Sequence, residues 1–183
     1  MVSEVRRAFN QMMAGQIGPF LRGHGFQDQK KGCFLRVIDG VGAVSLWFQN
    51  SNYPGHAPYF INIGAGTERW IAYSGGVEDG LGQLSGRVDP PPELAFAPGV
   101  DMWSLRTPEA AVEHGAGVCR TFDEVVFRRL ARHLEYNTAL EDAAGGGTPG
   151  REPPPRWSGV VNRMMYPQHL SDYFAWLRAG RAP

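Results

Sequence analysis

Lysine is almost missing from this chain: Lys30 and Lys31 are its only two, and arginine supplies the rest of the 18 basic residues. With abundant Gly, Ala and Pro, this usage marks a GC-rich genome rather than a chemistry. Cysteine is as scarce. Cys33 and Cys119 alone, in 183 residues, make no disulfide framework and read as reduced cytosolic thiols. An excess of either charge is also lacking, since 18 acidic residues balance the basic ones. The chain therefore carries no global field to draw in nucleic acid or an anionic membrane, and a nucleic-acid partner is disfavoured. Apolar runs are broken by Gly, Ser, Gln or Asn well short of the roughly 20 residues that a bilayer span needs. The opening Met1 to Arg7 turns polar at once, which predicts no export and a cytoplasmic setting.

Catalytic signatures are absent as well. Zinc sites set their ligands in His-x-x-x-His, His-Glu-x-x-His or Cys-x-x-Cys spacing, and none of these occurs. No Gly-x-Ser-x-Gly elbow is present. Gly75-Gly76 and Gly145-Gly146-Gly147 lack the following Lys-Ser/Thr that would cradle a phosphate. No metal, no cofactor and no catalytic residue is assigned.

What the chain does contain is a change of period. Val5, Ala8, Phe9, Met12, Met13, Ile17, Phe20 and Leu21 recur at three and four residues and predict an amphipathic helix, kinked at Gly18-Pro19 and ended by Gly25. Cys33 to Ile38, the turn dipeptide Asp39-Gly40, and Val41 to Gln49 predict a hairpin. Tyr59 to Gly64 offers a third strand, and Arg69 to Tyr73 a fourth. Ser74 to Gly99 reads mostly as loop, with brief pairing near Leu84 and Arg87-Val88, and Asp101 to Arg106 reads as an edge strand. A helix starting at Thr107-Pro108-Glu109 should weaken at Gly115 and Gly117, and a stronger one should start at the cap Thr121.

The expected fold class is α+β: an antiparallel sheet of about four to six strands, covered on one face by the N-terminal helix and the Phe122 helix. Residues 1–143 form this α+β domain, 144–156 a Gly/Pro-rich linker, and 157–183 an apolar helical tail. Trp157, Met164, Tyr173 and Trp176 are too apolar to stay in water, so the tail docks on its own domain or on a partner.

An ordered set of pieces carries a family likeness. Phe20-Leu21-Arg22-Gly23-His24-Gly25-Phe26 is followed by Lys30-Lys31-Gly32, then Phe34 and Arg36. Next come Phe48-Gln49-Asn50-Ser51, Phe60-Ile61-Asn62-Ile63-Gly64, and later Trp103. Over residues 3 to 106 the chain resembles domain of unknown function 4304. The resemblance transfers no activity; it implies a small bacterial cytoplasmic protein and a setting in toxin immunity or similar conflict systems.

Gln49 and Asn62 fall near the middle of the expected sheet, where amides need partners, because an unpaired buried polar group costs on the order of 1 to 3 kcal/mol. With Arg36, Trp47, Ser51, Phe60 and Arg87 they make a half-polar, aromatic set. Such a set suits a protein partner better than bond-breaking chemistry. The leading expectation is a non-enzymatic protein-binding module, an immunity or regulatory partner, with self-association or a small-molecule ligand as alternatives. A rival reading assembles a small hydrolase or transferase site from Arg36, Gln49, Asn62, Arg87 and His114, and requires a concave pocket where they converge. A nucleic-acid surface built on Arg128, Arg129 and Arg132 with tail arginines and aromatics is the third. Glu109, Glu113, His114, His133 and Glu135 read otherwise as solvated helix residues, and Cys33 and Cys119 as structural thiols.

Overall fold

The alternation of Val44, Leu46 and Phe48 with Ser45, Trp47 and Gln49 becomes the middle of an antiparallel sheet in the computed structural model, which describes residues 4–51, 56–75, 83–144 and 167–180. Its strands are β1 (Gln27–Lys30), β2 (Cys33–Ile38), β3 (Gly42–Asn50), β4 (Ala57–Thr67), β5 (Leu84–Arg87) and β6 (Trp103–Leu105). They run in the order β1-β2-β3-β4-β5, and β6 pairs with the start of β4 on the same edge as β5. The expected hairpin closes at Asp39-Gly40, where Val41 donates its backbone N–H to the Ile38 carbonyl at 2.9 Å.

Among the described residues six α-helices accompany the sheet: α1 (Glu4–Met12), α2 (Gly18–Gly23), α3 (Glu68–Ser74), α4 (Ala111–Thr121), α5 (Phe127–Ala144) and α6 (Pro167–Arg178). The fold is α+β, with an N-terminal helix, later helices and a C-terminal helical segment. One sheet face carries the core. Val44, Leu46 and Phe48 of β3 and Tyr59, Ile61 and Ile63 of β4 pack with Phe9, Ile17, Leu21, Phe122, Val126 and Leu130. Every one of these residues is buried, and each fully buried aliphatic or aromatic side chain contributes about 1.5–3 kcal/mol through removal from water.

Several local expectations change. The N-terminal helix is interrupted by a π turn, Met13–Ile17, in which Gly18 donates to the Met13 carbonyl. The wide turn leaves Pro19, which has no N–H to give, in the first turn of α2, where that N–H is not needed. Arg69 to Tyr73 is not a strand but lies in α3, because Thr67 caps a helix there: its Oγ1 accepts from the Trp70 N–H at 3.1 Å. Thr121 is not a cap, since it has helical dihedrals and its hydroxyl donates to the Gly117 carbonyl. The chain stays helical from α4 through a second π turn, Phe122–Val126, into α5.

Gly115 and Gly117 do not weaken the helix; they let it approach its neighbours. A Cβ at Gly115 would meet Met12 Cγ at 2.9 Å, and one at Gly117 would meet Leu94 Cδ1 at 2.6 Å. β1 was not expected, because all four of its residues are exposed and polar and leave no apolar period to read. Of the expected linker, residues 145–156 lie outside the described residues, as do 157–166 of the tail. α6 packs its buried Tyr173 and Leu177 on Trp70 of α3, with Tyr73 and Trp176 around them, in a cluster separate from the main core.

Candidate functional site

Strand register decides which expected residues meet. Trp47 of β3 pairs with Asn62 of β4, which pairs with Arg87 of β5, so the three form one row across the sheet. Gln49 and Phe60 pair in the next row. Since side chains alternate along a strand, these five share the face opposite the core. Asn62 Nδ2 donates to Gln49 Oε1 at 3.1 Å and lies 3.4 Å from the Trp47 carbonyl. The Arg87 guanidinium lies 3.9 Å from the centre of the Phe60 ring, and its Nη1 donates to Asp101 Oδ2 at 2.9 Å. Stacking on an aromatic face and pairing with a carboxylate hold a planar cation in one orientation.

Two expected residues fall elsewhere. Arg36 pairs with Val44, so the same alternation turns it to the helix-covered face, where its Nε lies 3.5 Å from the point a Cβ on Gly25 would occupy. Ser51 lies just beyond β3, tied down through its backbone: its N–H donates to the Pro58 carbonyl, and its carbonyl accepts from Arg6 of α1 at 2.9 Å. The same Arg6 guanidinium donates to Asn50 Oδ1 at 2.6 Å.

The second face is not uniformly open. Trp47, Gln49, Phe60, Asn62 and Arg87 are half-buried, whereas Cys33, Ser45, Ser85 and Ser104 are buried. The Ser45 and Ser104 hydroxyls have no hydrogen-bond partner among the described residues.

His114 belongs to the core. Its Nε2 shares a 2.8 Å hydrogen bond with the Tyr59 hydroxyl, beneath Trp103. Burial pulls the imidazole down from its ordinary 6.5 to about 4, so it is neutral at pH 7. Burial, and secondarily Cys119, pushes the Tyr59 phenol well up. Arg36 and His114 thus lie across the sheet from Gln49, Asn62 and Arg87, and the five do not converge. Glu109 precedes α4 and shares no helix face with Glu113. His133 is buried, its Nε2 2.8 Å from Asn137 Nδ2. Cys33 and Cys119 are free thiols, and burial pushes Cys119 up, away from thiolate chemistry. Among the described residues no group of three His, Cys, Asp or Glu side chains could hold a metal ion, and no helix is long and apolar enough to cross a membrane.

Two features had no counterpart in the expected site. A buried carboxylate, Glu141 of α5, accepts on Oε1 from Thr67 Oγ1 at 2.5 Å, Gln83 Nε2 at 3.0 Å and the Tyr173 hydroxyl at 2.5 Å. Its signal was present in spacing: Leu130, Leu134, Asn137 and Glu141 are all buried and recur at four, three and four residues, the period of an inward helix face. Burial, followed by the bond to Glu141, pushes the Tyr173 phenol up. The second feature is a pair of concavities along Asp89 to Pro92, of about 680 and 370 Å³. Neither is lined by Arg36, Gln49, Asn62, Arg87 or His114.

No protein-family model matches the chain, and neither a curated protein nor a solved structure matches it. The likeness to domain of unknown function 4304 rests on the residues quoted for it.

Proposed function

We propose that this protein is a non-enzymatic binding module whose second sheet face meets a protein partner. One observation carries the reading: the Arg87 guanidinium is stacked on Phe60 and held by Asp101, in the row that also holds Trp47 and Asn62. Arginine and aromatic residues fixed before contact supply much of the energy of protein interfaces, because they lose little freedom on binding. The amide pair Gln49 and Asn62 adds directional donors beside them. The family likeness supports a regulatory or immunity setting, and two free thiols support a reducing, cytoplasmic one.

The test is an affinity capture from source-organism lysate at moderate salt, read by mass spectrometry, with wild type against the double variant Trp47→Ala/Arg87→Ala. One protein recovered stoichiometrically by wild type and lost by the variant supports the reading. A protein held equally by both, or none held by either, removes it. Point variants are preferable to deleting the tail, since removing α6 uncovers Trp70 and Glu141 and creates an artificial sticky patch.

A further inference from the structure

The second face holds a side-chain amide pair whose orientation is fixed by the backbone. Asn62 Nδ2 donates to Gln49 Oε1 at 3.1 Å and points to the Trp47 carbonyl at 3.4 Å. A carbonyl only accepts, so the Asn62 nitrogen must face it, and the Gln49 atom that meets this nitrogen must be the oxygen. What remains of the pair is one donor group, Gln49 Nε2, and one acceptor, Asn62 Oδ1. Neither has a hydrogen-bond partner among the described residues, and neither is shut off from water, in contrast to the Ser45 and Ser104 hydroxyls. Trp47 and Phe60 stand beside the pair in the strand register. The nearby cation is already answered, since Arg87 lies on the Phe60 ring and holds Asp101 at 2.9 Å.

Resting on the protein-binding reading, we propose that the Gln49–Asn62 pair receives the carboxamide of an asparagine or glutamine side chain on the partner, carried by an uncharged segment whose apolar neighbours lie on Trp47 and Phe60. The pattern of donor and acceptor selects that group. A carboxamide brings an oxygen for Gln49 Nε2 and an N–H for Asn62 Oδ1, both on one edge. A carboxylate brings acceptors alone and sets one against Asn62 Oδ1, whereas an ammonium or guanidinium brings donors alone and sets one against Gln49 Nε2. Backbone meets only half of the pair, because a trans peptide points its C=O and N–H in opposite directions. An apolar side chain would leave both groups dry and unpaired, which weakens binding. Since Arg87 and Asp101 answer one another, charge on the partner gains little at this row.

The probe is N-acetyl-leucyl-glutaminyl-leucine N-methylamide, titrated into full-length, isotope-labelled protein and followed at the side-chain amide signals of Gln49 and Asn62 and the indole N–H of Trp47. Two control peptides keep the backbone and the flanking leucines and replace the glutamine, one by glutamate and one by norleucine, which has no polar group. Saturable shifts at those signals are expected for the glutamine peptide, at an affinity that salt leaves unchanged, and binding weaker by about tenfold for each control. In Gln49→Met, which keeps the side-chain length, the glutamine and norleucine peptides should bind alike at the Asn62 and Trp47 signals, with the backbone amides of the core strands unshifted. Equal response to the three peptides in wild type, preference for glutamate, shifts confined to other signals, or no saturable response would overturn the contact. So would a Gln49→Met protein that still prefers glutamine. The two readings separate cleanly. A captured partner lost by Trp47→Ala/Arg87→Ala but kept by Gln49→Met leaves the face standing and the carboxamide contact refuted. The glutamine peptide preferred at the pair with no partner captured leaves the contact standing and the protein-binding face refuted.

Discussion

The two faces of one sheet are built from the same strands and obey opposite rules. On the helix-covered side, Leu46, Ile61 and Ile63 are fully enclosed among aliphatic and aromatic neighbours. On the other, the residues one position along, Ser45, Trp47 and Asn62, are small, amphipathic or polar, and the half-buried ones satisfy one another through side-chain contacts. Alternation with a period of two makes this division unavoidable once one face is core. The difference teaches that the half-buried residues of the second face carry less of the fold's stability than the core face does, so polar and cationic groups fixed there are candidates for recognition.

The widest separation between the faces should come from truncation. Leu46→Ala is expected to destabilise by about 2–5 kcal/mol in urea denaturation, whereas Phe60→Ala, on the half-buried side, should cost less than about 2 kcal/mol. Equal costs would mean that the second face is core. Acid tests the one imidazole that faces the Tyr59 ring on the core side. Because His114 titrates at about 4 when folded against an ordinary 6.5, the unfolded chain takes up its proton first. Its contribution is complete above pH 6.5 and is lost as pH falls through that window to about 4, by about 3 kcal/mol. His114→Gln should flatten that part of the stability profile.

Smaller effects sharpen the second face itself. Asn62→Ala removes the bond to Gln49 and should cost about 1 kcal/mol in the same urea measurement. Ser45→Ala and Ser104→Ala delete hydroxyls that are buried without partners, so each should leave stability unchanged or raise it by up to about 1 kcal/mol. A loss there would show that the hydroxyls are engaged.

Much of the sheet could be read from the chain, because Val44, Leu46 and Phe48 alternate cleanly and Asp39-Gly40 marks the turn between two strands. That Trp47 and Gln49 share one face of β3, and Phe60 and Asn62 one face of β4, follows from the period of two, whereas the register that sets Trp47 beside Asn62, and Asn62 beside Arg87, comes from the strand pairing alone. Arg36 went astray through phase alone: with Cys33 opposite Trp47, every even position of β2 turns to the helices. Arg69 to Tyr73 looked like a strand for its aromatic and β-branched content, but Thr67 caps it into a helix. Gly115 and Gly117 were read by propensity, whereas their role is set by Met12 and Leu94, more than twenty residues away or on another element. The concavities along Asp89 to Pro92 were unreadable because the smaller joins a proline strap to a helix distant in sequence.

The bond from Tyr173 to Glu141 makes α6 the cover of a buried charge rather than an appendage. Without it Glu141 keeps two of its three side-chain donors, Thr67 and Gln83, and the aromatic seam at Trp70 loses Tyr173 and Leu177. A chain ending at Ala144 is therefore expected to bind the hydrophobic dye ANS, and a peptide of residues 167–180 added in trans to abolish that binding. If the shortened chain binds no dye, the seam closes without α6.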